Sequence, residues 1–250
     1  MGEENESELT TGDGRDVADR PAMGDSQAIV EKKIPANLRE KFEFYSYKNA
    51  AVILSEAMKS EFDEICHALR EFELNSAMLR KFGGNESDVP REFSKLLRPL
   101  GWHETHIRAD LNVSLRWRES SDDSANGRKG RAIKERHFLR ERYLDGHKID
   151  YVKGRLAFDL EWNSKDQTFD RDLYAFNAFF LSGAIDCAIL ATRSLAMNEV
   201  FRHFGLMPKY GASTTWMGKL LYRLNAGRNG GCPVLAIGIT PKCVSDWPPG

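Results

Sequence analysis

The sequence predicts an α/β protein with a mixed central β-sheet flanked by helices. Three observations carry this. AIDCAILAT (184–192) and PVLAIGIT (233–240) are apolar on both strand faces apart from Asp186, as strands covered on both sides read. HKIDYV and RLAFDLEW are strand-like runs joined by a short Lys-Gly link, which makes them neighbours. The order is helices, then strands, then helices alternating with buried strands, the pattern of one α/β domain.

The elements follow in chain order. Residues 1–33 hold nine acids and four bases with few large apolar side chains, so they read as a disordered acidic tail before a single domain over 34–250. FEFYSY (42–47) is strand-like. Ser55 to Leu74 reads as one amphipathic helix, with Met58, Phe62, Ile65, Cys66, Leu69 and Phe72 on one face. A second helix follows Ser87 or Asp88 as cap, with Pro90 in its first turn and Val89, Phe93, Leu96, Leu97 and Leu100 inward. LNVSLRW (111–117) alternates as a strand, and ESSDDSANGRKG (119–130) is a polar loop insertion. RDLYAFNAFFL (171–181) is a helix with Leu173, Phe176, Phe179 and Phe180 inward. LAMNEVFRHF and TTWMGKLLYRL are helices as well.

Composition narrows the classes. No apolar run reaches the roughly 18 residues that a membrane span needs, and the acidic start is no secretory signal. Cys66, Cys187, Cys232 and Cys243 form no CxxC pair and read as reduced thiols of a cytoplasmic protein. The net charge of −1 hides an asymmetry, because the first 33 residues carry −5 and the remainder +4. A mildly basic body permits nucleic-acid binding without requiring it.

Asp150, Asp159 and Glu161 stand inside the paired strand runs. Side chains alternate along a strand, so Asp159 and Glu161 share one face while Phe158, Leu160 and Trp162 take the other. If the strands are adjacent, Asp150 meets them. Converging carboxylates repel and call for a cation, which a hard ion such as Mg²⁺ supplies through oxygen ligands. Such an ion can activate water for attack on a phosphodiester. A solvated acidic face is the other reading of the same spacing.

IDYVKGRLAFDLEWNSKD followed by FDRDLYAFNAFFL resembles the core of BglII/BstYI type restriction endonucleases, of the wider PD-(D/E)-x-K nuclease superfamily. The likeness runs from about residue 43 to 240 and includes FYSYKNAAVIL, GGNESDVPREFSKLLRPLGW and GASTTWMGKLLYRLNAGRNGGCPVLAIGIT. It implies a restriction-endonuclease-like fold and a Mg²⁺-dependent type II-like endonuclease with one or two ions per site. Asp150 and Asp159 would be metal ligands, and Glu161 a ligand or water-positioning group. Glu161 stands where the superfamily usually has Lys and the BglII type has Gln. An alternative register takes Glu161 and Asn163 as the acid and polar pair. Glu104 of GWHETH is the match for a fourth polar group from an upstream helical segment, or else a surface acid. His103 and His106 lack a third ligand and read as no zinc site.

The resemblance further implies double-stranded DNA as substrate, a short palindrome with a GATC core, a homodimer and a cognate methyltransferase. Palindromes match two-fold dimers. The helices around Ser55–Leu74 and Asp170–Leu181 have apolar surface for an interface or for plain core. Ser213, Thr214 and Thr215 at a helix start, with Lys219, Arg223, Arg228 and Lys209, are candidate DNA-binding residues or a capped helix with a solvated basic face. Lys165 is a phosphate contact or a loop lysine, and Asp170 and Asp172 read as helix-start residues. Two other classes stay open, a DNA-binding relative that has lost cleavage and a structure-specific repair nuclease.

Overall fold

Aliphatic runs from four parts of the chain assemble into the sheet in a computed structural model that describes residues 24–81, 88–121 and 130–248. The strands are β1 (Phe42–Tyr47), β2 (His103–Ser121), β3 (Gly130–Lys153), β4 (Leu156–Leu160), β5 (Cys187–Arg193) and β6 (Val234–Ile239), in spatial order β1-β6-β5-β4-β3-β2. β4, β5 and β6 are parallel, while β1 and β3 run antiparallel to their neighbours. The mixed sheet expected from the sequence is the one observed. Every residue of β4, β5 and β6 is buried, which explains their double-sided apolarity.

The two sheet faces differ. Leu156, Phe158, Leu160 and Trp162 of the β4 segment join Ile189, Leu235 and Ile237 in a large core. Helices α3 (Ala50–Ala57), α4 (Lys59–Glu71) and α6 (Asp88–Leu97) contribute to it. Phe93 of α6 links the layers, with ring centroids 4.4 Å from Phe72 and 5.2 Å from Phe158. Truncating a fully buried Phe of this kind costs about 3–5 kcal/mol. Ala157, Asp159 and Glu161 take the opposite face by alternation, the side served by α7 (Thr168–Leu181) and α9 (Met217–Asn225). α7 buries Phe169, Leu173, Phe176 and Phe179, and α9 buries Met217, Leu220 and Leu224.

Several boundaries differ from expectation. Order begins earlier than residue 34, because Gln27–Lys33 forms helix α1 and Val30 is buried in the core. A second short helix, α2 (Ala36–Lys41), precedes β1. The helix expected over Ser55–Leu74 is two helices, broken at Met58, whose backbone sits at φ −125°, ψ 37°. Met58 still buries its side chain, so one apolar stripe serves both pieces. α5 (Ser76–Arg80) is capped by Asn75, whose side chain accepts from the Met78 amide. α6 starts at Asp88, and the expected cap Ser87 lies outside the described residues. α8 (Met197–His203) lies between β5 and α9. GWHETH is not helical, because β2 begins at His103. All four cysteines are buried free thiols. Among the described residues no helix is long and apolar enough to cross a membrane.

The chain divides into two compact units, 1–105 with 149–250, and 106–148. The expected loop insertion at 119–130 is therefore the tip region of a larger unit, and residues 122–129 lie outside the described residues. Within the 106–148 unit β2 and β3 continue as strands. The Asp110 carboxylate accepts from the Arg142 amide at 2.7 Å, and Ser114 Oγ lies 2.9 Å from His137 Nδ1. Leu115, Trp117, Ile133, Phe138, Leu139 and Tyr143 are exposed there. This unit holds eleven Lys and Arg against seven Asp and Glu, so it accounts for the whole +4 of residues 34–250.

Candidate active site

A two-residue turn sets the register of the site. Lys153 pairs with Leu156, leaving Gly154 and Arg155 as the turn. Gly154 has φ +55°, and a Cβ there would stand 2.7 Å from Glu61 Oε1, so the position needs glycine. Tyr151 pairs with Phe158. The next step of the same ladder brings Asp150 opposite Asp159. Asp159 is also paired with Leu190 of β5, and the Glu161 amide donates to the Ala191 carbonyl at 3.0 Å. Strand pairing on both sides thus holds the two acids at the end of β4. The predicted convergence of Asp150, Asp159 and Glu161 is present, with Asp159 and Glu161 buried and Asp150 half-buried.

Electrostatics make this a costly arrangement. Burial pushes the Asp159 carboxyl well above the usual range, and the neighbouring Asp172, Asp150 and Glu161 push it further. Asp150 is close enough to Asp159 to share a proton with it. Glu161 has two donors: Thr168 Oγ1 to Oε2 at 3.1 Å and Arg171 Nη2 to Oε1 at 3.0 Å. Arg171 also donates from Nε to Asp172 Oδ1 at 3.0 Å. Asp172, 2% exposed, is raised to about 8 by burial first and by Glu161 next, with Arg171 opposing. Its Oδ2 is buried and meets no hydrogen-bond donor among the described residues. Two carboxylates can bond each other only by sharing a proton.

Four carboxylates therefore surround one guanidinium. Among the described residues no three His, Cys, Asp or Glu converge as they would about an ion. The acids stand as two pairs, Asp150 with Asp159 and Glu161 with Asp172. The donor set still fits a divalent hard cation. It is all oxygen, it lacks positive charge, and Asp172 Oδ2 is unsatisfied.

The other sequence candidates fare differently. Glu104 lies on β2 and is exposed, and the acids that act on Asp159 are Asp172, Asp150 and Glu161. Asn163 lies past β4 in the left-handed region at φ +59°, with Oδ1 buried and unpartnered. Ser213, Thr214 and Thr215 precede α9 and do not open it, because its N-cap is Trp216. They form a strap instead. The Ser213 carbonyl accepts from the Asp166 amide at 3.1 Å, and the Thr215 amide donates to Ser164 at 2.8 Å. Thr215 Oγ1 donates to the Glu161 carbonyl at 3.3 Å. Thr214 Oγ1 accepts from Arg193 Nη2 at 3.0 Å. Lys165 bridges to Thr214 through the backbone, and Lys209 donates to the Leu79 carbonyl at 2.8 Å.

Arg223 is a correction. Its side chain is 10% exposed and pairs with Asp170 at 3.0 Å and Asp166 at 3.7 Å, so it is committed to the interior. Lys219 pairs with Asp166 at 3.1 Å, and Arg228 pairs with Asp170 while remaining more exposed. Asp170 fits its helix-start reading, lying in the first turn of α7. Asp172 does not: it is an inward-facing site residue. The signal was available, since Phe169, Asp172, Leu173 and Phe176 follow the spacing of the inward stripe. Arg193 was also missed. It is buried at the end of β5, bonds Asn198, the Tyr210 carbonyl and Thr214, and so anchors the strap. Burial lowers it to about 10.

A mixed sheet with paired acids at the edge of adjoining strands and helices on both faces defines a restriction-endonuclease-like α/β protein. The family model for restriction endonuclease BglII/BglIII matches residues 42–239. The chain belongs to that family, which makes it by family a restriction endonuclease, a DNA-binding hydrolase. No curated protein sequence matches the chain.

Proposed function

We propose that the protein is a Mg²⁺-dependent type II enzyme that cuts both strands of duplex DNA at a short palindrome with a GATC core. The observation that carries this reading is the Asp150–Asp159 pair, set across one strand ladder, buried at Asp159 and lacking positive charge. Asp150 and Asp159 would hold the ion, and Glu161 would hold it or orient the attacking water. The bound ion would activate water and neutralise charge developing on the phosphodiester. Arg171 and Thr168 fix the Glu161 carboxylate, so its oxygens face a defined direction. With no lysine beside the acids, proton removal falls to a carboxylate or to solvent. Products would carry 5′-phosphate and 3′-hydroxyl ends.

Duplex binding draws on two regions. Ser213, Thr214, Lys219 and Arg228 lie on or next to the strap and supply hydroxyls and cations for phosphates. The 106–148 unit carries the basic excess of the chain and supplies long-range attraction. A palindrome calls for a homodimer, and host DNA would be protected by a cognate methyltransferase in the cytoplasm. Incubating unmethylated plasmid with Mg²⁺ tests the reading. Discrete fragments are expected from the wild type and none from Asp159→Ala or Glu161→Ala. Intact plasmid in Mg²⁺ and Mn²⁺, with specific DNA still retained, would favour a binding-only relative. Glu161 bound to Arg171 is the observation on that side.

A further inference from the structure

We infer that Asp172 is the fourth carboxylate of the metal centre, contributed by α7, and that Arg171 holds the cation's place there until a divalent ion binds. This rests on the proposed reading that the centre takes such an ion. Asp172 lies on the inward stripe of α7 among Phe169, Leu173 and Phe176, where an apolar residue would serve packing alone. A carboxylate in that position carries a desolvation cost, so something must offset it. Only half of it is offset: Oδ1 receives Arg171, while Oδ2 is buried with no donor among the described residues. Asp172 and Glu161 share the same guanidinium, which places their oxygens around one positive centre.

Arg171 suits a temporary counter-ion. Its side chain is 64% exposed, whereas the two carboxylates it bridges are 8% and 2% exposed. The cation reaches the acids from solvent and can return there without opening the core. A divalent ion brings two charges where the guanidinium brings one and accepts oxygen ligands at short range, so it outcompetes Arg171 for the buried oxygens.

The test uses the full-length protein without DNA. Isothermal titration calorimetry with Mg²⁺ and Ca²⁺ is run on the wild type, Asp172→Asn, Arg171→Gln and Asp159→Asn, beside thermal unfolding in chelator. Asp172→Asn keeps the shape of the side chain and is expected to bind either ion about tenfold or more weakly. Its metal-free melting temperature is expected to match or exceed the wild type, because a buried repulsive charge is gone. Arg171→Gln is expected to bind the ion several-fold more tightly and to melt lower without it. Unchanged affinity in Asp172→Asn, with Asp159→Asn strongly impaired, would overturn the role of Asp172 and leave the metal reading standing. A lower metal-free melting temperature in Asp172→Asn with unchanged affinity would make it a structural ion-pair residue and likewise overturn it. A wild type that takes up neither ion would overturn both.

Discussion

Asp170 and Asp172 stand two residues apart on one helix and experience opposite environments. Partial burial works against ionisation of Asp170, yet hydrogen bonds from Arg228 and Arg223 hold its carboxyl below the usual range. Burial and Glu161 lift Asp172 to about 8, and one shared Arg171 does not cancel them. Around Asp170 and Asp166 three cations serve two acids: Lys219, Arg223 and Arg228. Around Asp150, Asp159, Glu161 and Asp172 one cation serves four acids. The helix turn between them separates a charge network that is complete within the chain from one that is not. Structural ion pairs close on themselves; a cluster left short of positive charge is built to receive it.

That contrast can be broken from either side. The largest effect is expected at Asp159. Asp159→Ala should abolish plasmid cleavage, a fall of about 10³-fold or more for loss of a metal ligand, while the metal-free fold persists. Residual cutting near the wild-type rate would place the chemistry elsewhere. On the complete side, Arg223→Ala should cost about 2 kcal/mol in denaturant unfolding, because it strips a nearly buried cation from Asp166 and Asp170. An unchanged midpoint would mean that Lys219 and Arg228 suffice.

A smaller effect concerns pH. The folded protein holds a proton on Asp172 that the unfolded chain releases, so metal-free stability should fall as pH rises from the ordinary 3.8 towards about 8. Asp172→Asn should flatten that decline and gain about 1–2 kcal/mol near its upper end, the cost of an unsatisfied buried acceptor. Thermal melts across the window read this directly, and parallel curves for variant and wild type would contradict it. Asp170→Asn should behave in the opposite sense and more weakly. The depressed carboxyl of Asp170 contributes stability that is lost as pH falls through its folded value. With that side chain 39% exposed, the loss should stay below about 1 kcal/mol.

Much of the fold was legible because local pattern and tertiary role agree. The runs at 184–192 and 233–240 are apolar on both faces and become the fully buried β5 and β6. Asp159 and Glu161 share a face because strands alternate, and Asp150 meets Asp159 because a two-residue turn fixes the register. Features set by contacts distant in sequence were not legible. The break at Met58 leaves the apolar stripe intact, so periodicity is blind to it. Arg223 and Lys219 read as surface cations until Asp166 and Asp170 are brought beside them. Asp172 looked like a residue favoured at a helix start, yet its place on the inward stripe decides its role. The extent of the 106–148 unit follows from strand lengths that a polar loop motif does not reveal.

The most direct test of the account is thermal unfolding of the wild-type protein in chelator and in saturating Mg²⁺, near the upper end of the Asp172 window. A ligand that binds only the folded state raises its stability by mass action. The account predicts a melting temperature several degrees higher in Mg²⁺, with the gain lost in Asp159→Asn. Identical melting with and without the ion would contradict it, because the four carboxylates would then be stable without the charge they are held to require.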